Sequence, residues 1–189
     1  MTEEYLGVLV RPDAVGGEYG RILELFPPGN GGPPEHYHPT YEERFEVIEG
    51  EYVFVVDGEQ RTLATGDEIA VPPNTPHTYR NESSELATNI GEARPPAQIE
   101  EVITTMFGLA HEGKVGDDGD PTFLHLMTMA PELSDDTVFT SPPPVVQKVL
   151  ATVFAPLARL AGHQATYPKY LEDSFWTEHV EQPPHLQTQ

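Results

Sequence analysis

From Tyr19 to Phe26 apolar and polar residues alternate along an extended segment, with Arg21, Leu23 and Leu25 on one face and Ile22, Glu24 and Phe26 on the other. The run Pro27-Pro28-Gly29-Asn30-Gly31-Gly32-Pro33-Pro34 then forbids regular structure. Residues 43–49 and 51–56 are strand-like, and Asp57-Gly58 supplies a two-residue hairpin turn into Gln60-Arg61-Thr62-Leu63. Ile69-Ala70-Val71 and the stretch from Leu86 to Ile90 continue the series. Many short strands broken by Gly and Pro predict an antiparallel sandwich or small barrel.

Further on the period changes. Ile99, Val102, Ile103, Met106, Phe107 and Ala110 follow helical spacing and give one apolar stripe. Pro121 opens a second, short helix through Met129, and Pro142-Pro143-Pro144 precedes a third. That third segment has Val145, Val146, Val149, Leu150, Val153, Phe154, Leu157 and Leu160, too widely spread for a single exposed face, and Pro156 is expected to kink it. The expected layout is a β-domain over 1–97, a helical extension over 98–170, and a tail over 171–189 in which Trp176 is the one anchor. The stripes of the extension need a cover, either the barrel or a partner subunit.

Composition narrows the partners. The chain has 189 residues, no cysteine and a formal charge of −21. Disulfides, thiolate metal sites and cysteine nucleophiles are excluded. The charge is spread evenly: residues 1–97 hold 18 acids and 6 bases, and residues 98–189 hold 13 acids and 4 bases. Such a field repels nucleic acids and anionic membranes, so neither is expected as a partner. Met1-Thr2-Glu3-Glu4 lacks the basic region of a signal peptide, and the apolar stretch Val145–Gly162 is interrupted by Gln147, Lys148, Pro156 and Arg159. A cytoplasmic location is the expectation.

The candidate chemistry lies in the β-half. His36 and His38 are two apart, so on an extended segment both imidazoles point the same way. Simple alternation makes Glu42 the next residue on that face. Downstream, however, Glu43, Phe45 and Val47 share an apolar face while Glu42, Arg44 and Glu46 share a polar one. Pro39-Thr40 provides the irregular backbone that switches parity, so Glu43 is the expected ligand. In Gly66-Asp67-Glu68-Ile69-Ala70-Val71-Pro72-Pro73-Asn74-Thr75-Pro76-His77 a turn, a strand and a rigid bend aim His77 at the same point, with Asn74 at a position needing positive φ. The remaining histidines, His111, His125, His163, His179 and His185, have no such company and are read as ordinary.

These two stretches resemble the paired motifs of the cupin superfamily, in the small single-barrel microbial form. The first motif is matched by His36, His38, four residues, Glu43, six residues and Gly50, although its leading Gly is displaced, with Asn30 flanked by Gly29 and Gly31. The second is matched by Gly66, Pro72, His77 and Asn81, with Asn74 replacing the middle Gly. The resemblance covers about residues 20–95 and implies a mainly β fold, an antiparallel jelly-roll barrel followed by an α-helical C-terminal region. It also implies a small-molecule ligand and a homodimer.

Three imidazoles and a carboxylate suit a divalent transition metal ion, Fe, Mn, Ni, Co, Cu or Zn, whereas Mg and Ca prefer all-oxygen shells. Three functions follow as expectations. The first is a small-molecule oxygenase resembling the quercetin dioxygenase-like cupins, with a deep apolar cavity lined by Phe45, Val47, Phe54 and Tyr52. The second is a non-catalytic cupin that binds a sugar or other small ligand. The third is a sugar isomerase or epimerase, which needs a general base besides the ligands, and no residue stands out as one.

Overall fold

The computed structural model describes residues 7–8, 20–29, 31–94, 99–116, 121–172 and 174–176. Among them ten strands form two five-stranded antiparallel sheets: β1 (Gly7–Val8), β2 (Gly20–Phe26), β3 (His36–Tyr37), β4 (Glu42–Glu49), β5 (Glu51–Val56), β6 (Glu59–Ala64), β7 (Glu68–Val71), β8 (His77–Arg80), β9 (Ala87–Arg94) and β10 (Val138–Phe139). One sheet runs β1-β2-β9-β4-β7 and the other β10-β3-β8-β5-β6. Three helices follow the ninth strand, α1 (Ile99–His111), α2 (Phe123–Leu133) and α3 (Pro144–Leu160), then a 3₁₀ turn over Pro168–Leu171. The mainly β fold with a helical C-terminal region matches the sequence reading.

Local chemistry sets the register. Asp57 and Gly58 both adopt positive φ, 51° and 77°, the conformation of a tight hairpin turn, and Val56 pairs with Glu59 across it. On β4, Phe45 and Val47 are buried while Arg44 and Glu46 are exposed, so the strand presents its apolar set to the opposite sheet. The aromatic and aliphatic side chains of both sheets meet in one cluster of Phe45, Val47, Tyr52, Phe54, Val71, Tyr79 and Ala87. Phe45, Val47, Tyr52 and Phe54 are only 0–1% exposed. They pack on one another, Phe45 to Phe54 at 5.1 Å between ring centres, and do not line a water-sized space. The expected deep apolar cavity is thus corrected at those four positions: the rings fill it.

The helices build a second core from Val102, Leu109, Met129, Leu133 and Tyr170, with Phe175 and Trp176 packed against it. The Trp176 indole donates to the Tyr170 carbonyl at 2.6 Å, the anchoring role anticipated for it. Helix α3 continues through Pro156 to Leu160. The extension also re-enters the β-fold, because β10 pairs with β3 and places Phe139 opposite His36. No helix among the described residues is long and apolar enough to cross a membrane.

Candidate metal centre

The structure brings His36, His38, Glu43 and His77 together, with one donor atom from each lying within 4.8 Å of the others. Three come from one sheet and one from the other. His36 and His77 are direct partners across β3 and β8, His38 follows two residues after His36, and Glu43 faces them from β4, between Val71 and Ala93. Glu43, not Glu42, is in the group, as the parity argument required. Asn74 adopts φ 62°, donates its backbone N–H to the His38 carbonyl at 2.8 Å and its side-chain amide to the Pro39 carbonyl at 3.3 Å. One residue thereby ties the bend that carries His77 to the segment that carries His38.

Backbone carbonyls orient all three rings. His36 Nδ1 donates to Pro34 O at 2.8 Å, His38 Nδ1 to Asp136 O at 2.9 Å, and His77 Nδ1 to Thr75 O at 3.0 Å. A carbonyl only accepts, so Nδ1 carries the proton in each ring and Nε2 turns its lone pair inward. Glu43 Oε2 lies 2.9 Å from Nε2 of both His38 and His77. Two donors about 2.1 Å from one ion and at right angles stand about 3.0 Å apart, so this spacing fits neighbouring ligands of a transition ion. Acceptor atoms facing each other at that separation repel unless a cation, a proton or a metal ion, lies between them.

The electrostatics point the same way. Burial draws the His36 imidazole down to about 4, assisted by the neighbouring His77, so it is a neutral donor at pH 7. Burial alone would raise the Glu43 carboxyl, but the His38 and His77 imidazoles beside it hold it well below the usual carboxylate range. The imidazoles are 0–6% exposed, whereas the Glu43 side chain retains 18%. Access is therefore on the Glu43 side. Tyr41 stacks on the His38 ring at 4.3 Å and Phe139 flanks His36 at 6.0 Å.

Two features were missed in the sequence. The first is the segment from Asp136 to Phe139, which orients His38 through Asp136 O and Thr137 Oγ1 (3.2 Å) across almost 100 residues of chain. No local pattern signals a two-residue strand. The second is Glu24, which shares the inward face of β2 with Phe26 and accepts from the Tyr79 hydroxyl at 3.0 and 2.8 Å. Burial pushes its carboxyl up to about 7, offset in part by Tyr79 and reinforced by the charge of Glu43. The alternation Ile22-Glu24-Phe26 against Leu23-Leu25 was the available signal; a carboxylate between two apolar residues on a buried face is unusual. His125 is buried and satisfied by Thr122 and Tyr167, in keeping with an ordinary structural role. His179 and His185 lie outside the described residues.

Residues 22–90 match the Cupin domain family model. The chain is 30% identical over 132 residues to the polyketide synthase CurC of Streptomyces cyaneus, an alignment spanning 69% of this chain and 71% of CurC. It is 41% identical over 49 residues to the quercetin 2,3-dioxygenase of Bacillus subtilis strain 168, but those residues are 26% of this chain and 14% of the dioxygenase. Among solved structures, TT1209 from Thermus thermophilus superposes with a TM-score of 0.45 at 27% identity, over 51% of this chain and 88% of that one.

Proposed function

This chain belongs to the cupin superfamily, and from that premise we propose that it is a mononuclear transition-metal protein acting on a small oxygen-rich organic molecule. The single observation that carries the reading is the set of three Nε2 lone pairs, each fixed by its own carbonyl, converging with Glu43 on one point. A divalent transition ion held by His36, His38, Glu43 and His77 would supply Lewis acidity, and redox chemistry if it is Fe, Mn, Ni, Co or Cu. The chain's own residues do the rest. The carbonyls of Pro34, Thr75 and Asp136 lock the tautomers, Tyr41 and Phe139 wall the site, and the packed rings of Phe45 and Tyr79 exclude water behind it.

An oxygenase is the reading we favour within that class. It is supported by the local identity with a quercetin dioxygenase, and the longer alignment to a polyketide synthase supports polycarbonyl or phenolic compounds as substrates. The test is elemental analysis of chelator-free, untagged protein beside Glu43→Gln and Glu42→Gln, followed by oxygen uptake with diketones, flavonols and aromatic diols. About one ion per chain, retained in Glu42→Gln and lost in Glu43→Gln, is expected. Full metal content with no oxygen consumption on any of these compounds would favour the non-catalytic binder.

We further propose a cytoplasmic homodimer, joined through α3. Val145, Val149, Val153, Leu157 and Leu160 are 54–86% exposed on this helix. In a chain of 31 acids, the 17 residues of α3 include none. Two copies of charge −21 approach most readily through such a face, and a contiguous exposed apolar stripe marks an interaction surface.

A further inference from the structure

The segment from Asp136 to Thr140 runs past the candidate ligands as a strap. Its Asp136 carbonyl and Thr137 hydroxyl meet His38 Nδ1 at 2.9 and 3.2 Å, and Phe139 lies in register with His36. Both ends of the strap are anchored. At the end of α2 the Leu133 carbonyl accepts from the Asp136 and Thr137 N–H groups at 2.9 and 2.7 Å, and beside β3 the Glu35 carbonyl accepts from Thr140 N at 3.0 Å.

Between those anchors the support is thin. β10 is two residues long and forms an edge of its sheet, so it has a strand neighbour on one side only. A cleft of about 570 Å³ separates it from α3, with Thr137, Val138 and Phe139 on one wall and Ala151, Thr152 and Ala155 on the other. Over that span the helix does not press on the strand, and Val138 and Phe139 are only half-buried. The attachment is polar instead. The Gln147 side chain, half-buried in the first turns of α3, donates from Nε2 to the Phe139 carbonyl at 2.7 Å and to the Pro142 carbonyl at 2.5 Å. A primary amide has two N–H donors, and both go to the backbone of this short stretch. Other polar side chains of α3 reach elsewhere: Thr152 bonds to Lys148 O within the helix, and Arg159 pairs with Glu132 on α2.

We propose that Gln147 is a positioning residue for the metal centre, acting through β10 on His38. With Leu133 and Glu35 holding its ends, the strap relaxes as a unit, so releasing the Phe139 carbonyl shifts the Thr137 hydroxyl and the Asp136 carbonyl that aim the His38 ring. The inference rests on the metal-centre reading and extends that centre's support to α3.

The test uses the full chain loaded with Co(II). Cobalt affinity is measured by competition with a chromophoric chelator, the geometry of the bound ion by its visible d–d band, and folding by the urea midpoint of chelator-treated protein. Gln147→Met, which keeps the length of the side chain and loses its donors, is expected to weaken cobalt binding about tenfold, as for other groups that aim a ligating imidazole. Its d–d band shifts with it. Gln147→Asn, one methylene too short to reach both carbonyls, moves both readings the same way and covers the case in which Gln147→Met does not fold. Gln147→Lys, whose ammonium can donate to both carbonyls, restores affinity and band, and Thr152→Ala on the opposite wall of the cleft leaves them as in wild type. Wild-type affinity with an unchanged band in folded Gln147→Met or Gln147→Asn would overturn the proposal. So would a lower urea midpoint with the band unmoved, since that is what a purely structural contact gives. A wild-type chain that takes up no cobalt overturns the metal centre and this inference with it; elemental analysis before any variant is made tells that failure apart from a failure of Gln147 alone.

Discussion

The barrel and the helical extension dispose of their apolar residues in opposite ways. In the barrel, alternation sends Phe45, Val47, Tyr52 and Phe54 between two sheets, where they are 0–1% exposed. In the α2–α3 pair the residues buried on α3 are Ala151, Ala155 and Ala158, while Val145 and Leu160 are 75% and 86% exposed. Small residues let the two helices approach closely, and that leaves the large ones on the outside. The barrel closes on itself, whereas the extension leaves an apolar stripe of α3 exposed. The two regions nevertheless meet at the candidate site, since β10 extends the sheet that carries His36 and His77, and Asp136 O orients His38.

Cutting the regions apart gives the largest expected effect. A chain ending at Pro96 keeps all four proposed ligand side chains but loses β10, the Asp136 carbonyl and the Thr137 hydroxyl. Loss of groups that orient a ligating imidazole weakens metal binding by about 10–100-fold. A competition titration with a chromophoric chelator measures this, and a soluble truncated chain with wild-type affinity would show that the extension is not needed by the site.

That dependence could not be read from the sequence, for a physical reason. Glu43, the Asp57-Gly58 turn and the positive φ of Asn74 are fixed by residues within a few positions, so parity and turn chemistry reveal them. Val138–Phe139 is too short to show a period, and its partner lies about 100 residues earlier. Glu24 went unrecognised because a carboxylate on an alternating strand reads as solvent-facing, and the partners that make its burial tolerable, Tyr79 first, come from other strands.

The exposed stripe provides the next test. Val149→Glu with Leu157→Glu adds two charges to the face that we propose joins two copies. Sedimentation equilibrium is expected to shift from two chains to one, with metal content unchanged. Both positions are more than half exposed, so the stability of a single copy should change by no more than about 0.5 kcal/mol at each. A variant that remains dimeric would move the interface elsewhere. A smaller effect is expected inside the extension's core. A Cβ on Gly108 would lie 2.3 Å from the Tyr170 ring, which is completely buried. Gly108→Ala should therefore destabilise the protein by about 1–3 kcal/mol, seen as a lower urea midpoint, while the barrel's metal affinity stays the same.

The finest comparison sets one carboxylate from each region against the other. Glu24 in the barrel holds its proton up to about pH 7, against 4.5 for the free group, because burial outweighs the Tyr79 bonds. The folded state then binds more protons than the unfolded one between those values. Its contribution is complete below pH 4.5 and is lost as the pH rises through 7. Glu112 in the extension is drawn down to about 2 by Lys114 and Lys169, so its contribution is present above pH 4.5 and is lost as the pH falls through 2. In chelator-treated protein, Glu24→Gln should therefore gain stability relative to wild type between pH 5 and pH 8. The expected gain is on the order of 1 kcal/mol, since partial exposure of Glu24 reduces the full value of its shift. Glu112→Gln should show the reverse trend, losing its disadvantage only in strong acid. Urea midpoints at four pH values measure both. Parallel curves for Glu24→Gln and wild type would mean that water reaches that carboxylate freely and that the inner face of β2 is as wet as the outside of the extension.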